Sequence, residues 1–181
     1  MATPLYVSHA TPDYRDEAGE LIATLDEHAL DYSVQLIPCL GSWQANTQAK
    51  AITILGALRA NPGRAVVWLD ADARVRQDPI LFDELGDGIE MMAAHWRGRH
   101  LLSGTLWFSP HAAPLVERWI AMNEARPNTW DQENLADAIG DAPVVKLPAA
   151  YCRICDAHDM GEDVIIEHMQ ASRRLKRIVN A

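Results

Sequence analysis

Apolar and polar positions follow two rhythms through the first half of the chain. Short apolar runs, Leu5-Tyr6-Val7-Ser8, Tyr32 to Ile37 and Ala65 to Leu69, read as strands. The last is apolar throughout, as expected of a strand buried on both faces of a sheet. Between these runs, Ala18, Leu21, Ile22, Leu25 and Ala29 recur at helical spacing. Ala51, Ile54, Leu55 and Leu58 do the same in a helix predicted from about Asn46 to the Asn61-Pro62-Gly63 stop. His9 to Pro12 reads as the loop leaving the first strand, and Pro38 with Gly41-Ser42 ends the second. Strands alternating with helices imply βαβ units, right-handed crossovers and a parallel sheet.

The rhythm then changes. Asp78-Pro79 has the pattern of an N-cap followed by proline at the first helical position, opening a short helix through Leu85. Ile89 to Trp96 and Leu101 to Phe108 are two close strands, separated by Arg97-Gly98-Arg99-His100, that can pair as a hairpin. Pro114 to Glu124 is predicted as a helix burying Leu115, Val116, Trp119 and Ile120. Thr129 and Gln132 have capping-box spacing and open a helix that ends near Gly140. Val144 to Leu147 and Val164 to Glu167 read as short late strands, and the basic tail from Ser172 as helical. The expectation is one mixed α/β domain over residues 1–181, with a mostly parallel central sheet flanked by helices.

Composition narrows the function classes. The 181 residues are 49% hydrophobic and 23% charged, ordinary for a globular domain with a continuous core. A formal charge of −9 argues against broad attraction to a polyanion, though a local basic patch can still hold a nucleic acid. Neither a secretory signal pattern nor an integral membrane segment is legible, so a soluble, cytoplasmic protein is expected. Three cysteines, Cys39, Cys152 and Cys155, are then expected as reduced thiols.

The chemistry concentrates after the third strand, in Leu69-Asp70-Ala71-Asp72. Aspartates at i and i+2 can point the same way from the carboxyl end of a strand, where open α/β sheets bind ligands. Paired hard oxygen donors there suit a divalent cation. The alternative is a solvated turn after a core strand. Far downstream, His168 is followed by Ser172, Arg173, Arg174, Lys176 and Arg177, which place four of the chain's 16 Lys and Arg within six residues. Arginine forks match phosphate oxygens, whereas a basic C-terminal turn is also favoured by a helix dipole.

Four segments, in order along most of the chain, resemble the GT-A glycosyltransferases, specifically the small nucleotide-diphospho-sugar transferases with an Asp-x-Asp motif. They are Tyr6 to Tyr14 with Ser8-His9; Trp43-Gln44-Ala45-Asn46 and Lys50 leading to Val67 through Asp72 and Asp78-Pro79; Leu102 to Trp107 with Trp130-Asp131-Gln132; and Ile166 to Arg174. The resemblance implies a GT-A fold and transfer of a sugar from a UDP- or GDP-sugar to an acceptor hydroxyl, with Mn2+ or Mg2+ held by Asp70, Asp72 and His168. It implies that Asp72 is the direct ligand and that Asp70 also reaches the ribose. It places Ser8, His9, Tyr14, Asn46 and Lys50 near the nucleotide, Arg173 and Arg174 at the diphosphate, and Ser103 and Gly104 against the donor sugar. Asn46 can equally start its helix with Lys50 on its surface, and the alternative for Ser103-Gly104-Thr105 is a β-bulge. Asp131 and Gln132 are the candidates at the reacting centre. With inversion Asp131 is the base; with retention, to which the late histidine points, the pair orients the sugar. The acceptor is open: a saccharide, a lipid, a protein or a modified nucleic-acid base.

Two other readings share parts of the pattern. Haloacid-dehalogenase-like phosphohydrolases also carry Asp-x-Asp after an apolar strand, and Gly161-Glu162-Asp163 loosely matches their later acidic motif, but a full βαβ unit precedes the pair here. A non-catalytic nucleotide-sugar-binding module is the third. Cys152-Arg153-Ile154-Cys155 with His158 lacks a second close ligand pair for structural zinc, and reads instead as a loop crossing the donor site.

Overall fold

The computed structural model describes residues 3–85, 88–155 and 163–173. The first half follows the predicted alternation: β1 (Leu5–Ala10), α1 (Arg15–Glu27), β2 (Tyr32–Leu36), α2 (Trp43–Ala60) and β3 (Val66–Leu69). Then come β4 (Ala73–Val75), α3 (Leu81–Glu84), β5 (Met91–Trp96), β6 (His100–Phe108), α4 (Ala113–Ala125), α5 (Asp131–Ile139), β7 (Val144–Lys146), β8 (Arg153–Ile154) and β9 (Ile166–His168).

Six strands form the central sheet in the order β2-β1-β3-β6-β5-β7, and only β6 runs against the rest. The two βαβ crossovers leave α1 and α2 on opposite faces. Alternation along the strands divides the core accordingly. Val7, Val66, Trp68, Leu106 and Phe108 pack with Ile54, Leu58, Leu115, Trp119 and Leu135 from α2, α4 and α5. Tyr6, Val67, Leu69 and Trp107 pack the other way, with Leu21 and Leu25 of α1, Phe82 of α3, Tyr151 and Ile166. Each large apolar side chain buried this way contributes about 1.5–3 kcal/mol. Among the described residues no helix is long and apolar enough to cross a membrane.

Several local expectations are corrected. His9 and Ala10 belong to β1, paired with Gln35 and Leu36, and are not in the loop. Helix α1 stops at Glu27, so Ala29 lies beyond it, exposed and at φ +50°. Helix α2 starts at Trp43, because the Ser42 hydroxyl accepts the Ala45 amide at 3.0 Å as N-cap. Asp78 does not cap α3, whose N-cap is Ile80; its carboxylate meets His28 Nδ1 at 2.6 Å. The Thr129–Gln132 capping box does not form: Trp130 is the N-cap of α5 and no side chain closes it.

A second sheet, β4-β9-β8, was not anticipated. It pairs Ala73 with His168 antiparallel and Ile154 with His168 parallel, which brings the late histidine over the end of β3. The segment between the cysteines is therefore a strand rather than a loop. Cys152 is buried and Cys155 half-buried, while His158, Gly161 and Glu162 lie outside the described residues. The helical start of the tail is seen in Ala171, Ser172 and Arg173; Arg174, Lys176 and Arg177 lie outside the described residues.

Candidate functional site

A cleft of about 280 Å³ opens at the carboxyl ends of β1 and β3, between α2, α5 and the small sheet. His9, Tyr14, Asn46, Lys50, Asp70, Asp72, Ser103, Gly104, Asp131, Gln132 and His168, all predicted from sequence, line it. Ser8 does not. Its side chain is buried and its hydroxyl has no hydrogen-bond partner, because strand alternation turns it away from the face that His9 shares. Arg173 is exposed and lies beyond the lining residues, which in that segment are Gln170 and Ser172.

Two carboxylate clusters share the cleft floor. In the first, Asp70, Asp72 and His168 each present one donor atom, all within 4.8 Å of one another. Asp70 leaves β3 with its amide bonded to the Gly104 carbonyl at 2.9 Å, and its Oδ1 accepts the Trp68 indole N–H at 2.8 Å. Asp72 is held from the far side of the small sheet: its Oδ2 accepts the Ala171 amide at 2.8 Å and its carbonyl accepts the Met169 amide at 3.0 Å. His168 is buried, with Nε2 2.8 Å from the Thr105 hydroxyl and Nδ1 3.6 Å from Asp72 Oδ1.

Burial works against ionising Asp72, but His168, the Ala171 amide and Arg74 outweigh it and hold the carboxyl below its usual range. Asp70 shifts the other way. Burial pushes it up and Lys50 pulls it down, and its side chain is still 37% exposed to the cleft, which restrains the rise. Burial also opposes a charged His168, yet the Cys152 sulfur and the Asp72 carboxylate beside it raise its pKa well above the ordinary histidine value. One imidazole and two carboxylates that favour shared positive charge are a donor set suited to a divalent cation.

In the second cluster, Lys50 Nζ lies 3.0 Å from Asp70 Oδ1 and 3.0 Å from Asp131 Oδ2. Its other contacts are Ser103 Oγ at 3.2 Å and the Ser103 carbonyl at 3.4 Å. The Ser103 hydroxyl donates to Asp131 Oδ2 at 2.8 Å. Burial lowers the Lys50 pKa, but Asp131 and Asp70 outweigh it and the net shift is upward, so the ammonium is fixed in place. Lys50 thus lines the cleft with its ammonium paired to two carboxylates. Asp131 begins α5 with its carbonyl accepting the Trp119 indole N–H at 2.9 Å, which ties the helix start to the core.

The rest of the wall is set by α2 and β6. The His9 ring stands edge-on to Trp68, with Nδ1 2.8 Å from the Thr53 hydroxyl and Nε2 3.2 Å from the Asn46 carbonyl. Burial lowers its pKa to about 4 and Lys50 adds to that, so it is neutral at pH 7. The Asn46 side chain turns to the preceding loop, accepting the Leu40 amide at 2.7 Å. Tyr14 is pushed up to about 12, by burial and then by Asp72 and Asp70, so its phenol keeps its proton.

At Ser103-Gly104-Thr105 the bulge is real: Ala93 pairs with Leu106 but Ala94 with Leu102, so β5 passes over these three residues, while on the other side of β6 Thr105 still pairs with Leu69 of β3. The close approach that glycine permits is made by the protein itself: a Cβ on Gly104 would lie 2.8 Å from His168 Cε1. Thr105 and Trp68 were missed in the sequence. Trp68 carried a usable signal, since it lies two residues before Asp70 on the same strand face.

Sequence comparison finds no match among protein-family models or curated proteins. Solved structures do match. A glycosyltransferase involved in glycosylation of the major capsid of PBCV-1 superposes with a TM-score of 0.80 at 15% identity, covering 99% of this chain and 98% of that one. The glycosyltransferase GlyE of Streptococcus pneumoniae TIGR4 gives 0.68 at 16% identity over 91% of this chain, which spans 54% of GlyE. An active-site mutant of LgtC gives 0.61 at 11% identity, covering 97% and 95%. The anticipated resemblance holds at the level of architecture: the chain has the mixed α/β fold of GT-A-type glycosyltransferases.

Proposed function

We propose that the protein is a metal-dependent glycosyltransferase that moves a sugar from a nucleotide-diphosphate sugar to an acceptor hydroxyl with retention of configuration. The observation that carries this reading is the cluster of Asp70, Asp72 and His168 at the carboxyl edge of the sheet, in a fold shared with solved glycosyltransferases. Those three residues would hold manganese or magnesium, which when bound offsets the negative charge of the diphosphate leaving group.

The chain's own groups divide the remaining work. Thr11 and Tyr14 line the end of the cleft at β1, the side offered to the nucleoside, where Tyr14 presents a neutral phenol. Gln170 and Ser172 line the side offered to the diphosphate. Ser103, Asp131 and Gln132 face the sugar. Asp131 Oδ2 already receives Ser103 and Lys50, so the carboxylate is a fixed acceptor suited to orienting sugar hydroxyls. That role belongs with retention. The bond from the anomeric carbon to the diphosphate oxygen breaks, a bond to the acceptor oxygen forms, and the acceptor's proton leaves on the diphosphate.

Thermal unfolding with UDP, GDP and their sugars, with and without manganese, tests the reading. One nucleoside diphosphate should raise the midpoint by about 5–10 °C at a hundredfold excess over Kd, and only with metal present. Asp72→Asn should abolish both that shift and metal-stimulated release of nucleoside diphosphate. A wild-type protein indifferent to every nucleotide, or an unimpaired variant, overturns the proposal.

A further inference from the structure

Trp130 is 50% exposed, although its side chain carries more apolar surface than any other residue type. It stands one residue before Asp131 and two before Gln132, which line the cleft. Its ring meets that of Trp43, a lining residue, edge to face at 5.9 Å and 75°. Both tryptophans are fixed through their backbones. Ser42 caps the helix that Trp43 begins. Gln48 Nε2 reaches from that helix to the carbonyls of Arg126, Pro127 and Thr129, at 3.2, 3.3 and 2.8 Å, and so ties down the turn before Trp130. The aromatic pair is thus prearranged rather than a chance exposure.

Thr47 and Gln132 line the adjoining wall and are neutral, able both to donate and to accept hydrogen bonds. Asp131 Oδ2 is taken up by Lys50 and Ser103. We propose that Trp130 and Trp43 form a platform for a sugar ring of a neutral saccharide, the acceptor. A pyranose offers a face of C–H groups to an indole and a rim of hydroxyls to an amide and a hydroxyl. A polyanionic acceptor would meet a chain of formal charge −9, and among the described residues that line the cleft the one lysine or arginine is Lys50, already paired with Asp70 and Asp131. The word acceptor rests on the transferase reading above; the binding of saccharide does not.

The protein is labelled with 5-fluorotryptophan and its six indole resonances followed by 19F NMR. Trp130 and Trp43 are assigned from the Trp130→Phe and Trp43→Phe variants. Neutral mono- and disaccharides (methyl glucosides and galactosides, lactose, cellobiose) are titrated in, then a short single-stranded oligonucleotide and a long-chain alcohol. At least one saccharide should shift both resonances saturably and leave in place that of Trp107, buried on the opposite face of the sheet and assigned from Trp107→Phe. Trp130→Ala should weaken that saccharide about tenfold and Trp130→Phe about two- to threefold, with unfolding midpoint and nucleotide–manganese stabilisation at wild-type values. The platform is overturned if no saccharide moves either resonance, if Trp130→Ala binds as wild type does, or if only the oligonucleotide or the alcohol produces shifts. Saccharide shifts in a protein that ignores nucleotide and manganese would uphold the platform and sink the transferase reading; the reverse result would do the opposite.

Discussion

The two carboxylate clusters on the cleft floor are built from the same kinds of group and end in opposite conditions. At Asp131 the anion meets a cation the chain supplies: Lys50 sits 3.0 Å away, buried, with Ser103 completing the contacts. At Asp72 the nearest cationic partner is an imidazole 3.6 Å off, and Asp70, shared between the two clusters, remains 37% open to the cleft. One cluster is closed by its own charge and the other leaves room for a charge from outside. A buried ion pair is seldom a net source of stability, whereas breaking one is costly. Lys50 is thus better understood as the fixture that holds Asp70 and Asp131 at a set separation than as a stabilising bond.

The sharpest way to break the contrast is Lys50→Met, which leaves two carboxylates facing each other without their cation. It should cost about 3–5 kcal/mol in urea unfolding, and adding Asp131→Asn should recover part of the loss. An unchanged midpoint would mean that the closed cluster is closed in appearance only.

His9, which shares Trp68 with Lys50, sharpens the comparison through pH. Its folded pKa of about 4 lies below the ordinary histidine value of 6.5, so between these values the unfolded chain holds a proton that the native state does not. Stability should therefore rise with pH across that window, by about 3 kcal/mol from this group. His9→Gln should flatten the slope in unfolding measured from pH 4 to 7, and an unaltered slope would show that the neutral imidazole is not its source.

Gly104→Ala addresses the open cluster with the smallest change. The new methyl would press on the His168 ring at 2.8 Å, in a wall where Thr105 holds the other side. The expected cost is about 1–3 kcal/mol of stability together with roughly tenfold weaker manganese binding by calorimetry. Weakened metal binding with the Lys50 cluster intact would separate the two clusters experimentally.

What could be read in advance follows the range of the interactions. Helices α1, α2, α4 and α5 and strands β1 to β3 announce themselves through period and turn residues, because those signals are local. So does the Asp70–Asp72 pair, whose meaning depends only on the strand before it. Of the small sheet only the late strand was legible, read as Val164 to Glu167; β4 and β8, of three and two residues, have no period, and Ala73 meets His168 from far along the chain. Lys50 was legible as a residue on a helix face, but its partners Asp70, Ser103 and Asp131 come from three other elements. Gly104 looked like space kept for a ligand, since a sequence does not reveal that an imidazole fills it.

Ser103, Gly104 and Thr105 now acquire a joint meaning. The first hydroxyl reaches Asp131, the middle residue takes the Asp70 amide on its carbonyl and seats the His168 ring, and the last hydroxyl reaches His168. Three consecutive peptides thereby act as a ruler between the place for a sugar and the place for an ion, its length fixed by covalent geometry rather than by packing. A single residue inserted or deleted there would throw both ends out of gauge at once, whereas substitutions along the remainder of β6 would leave that measure unchanged.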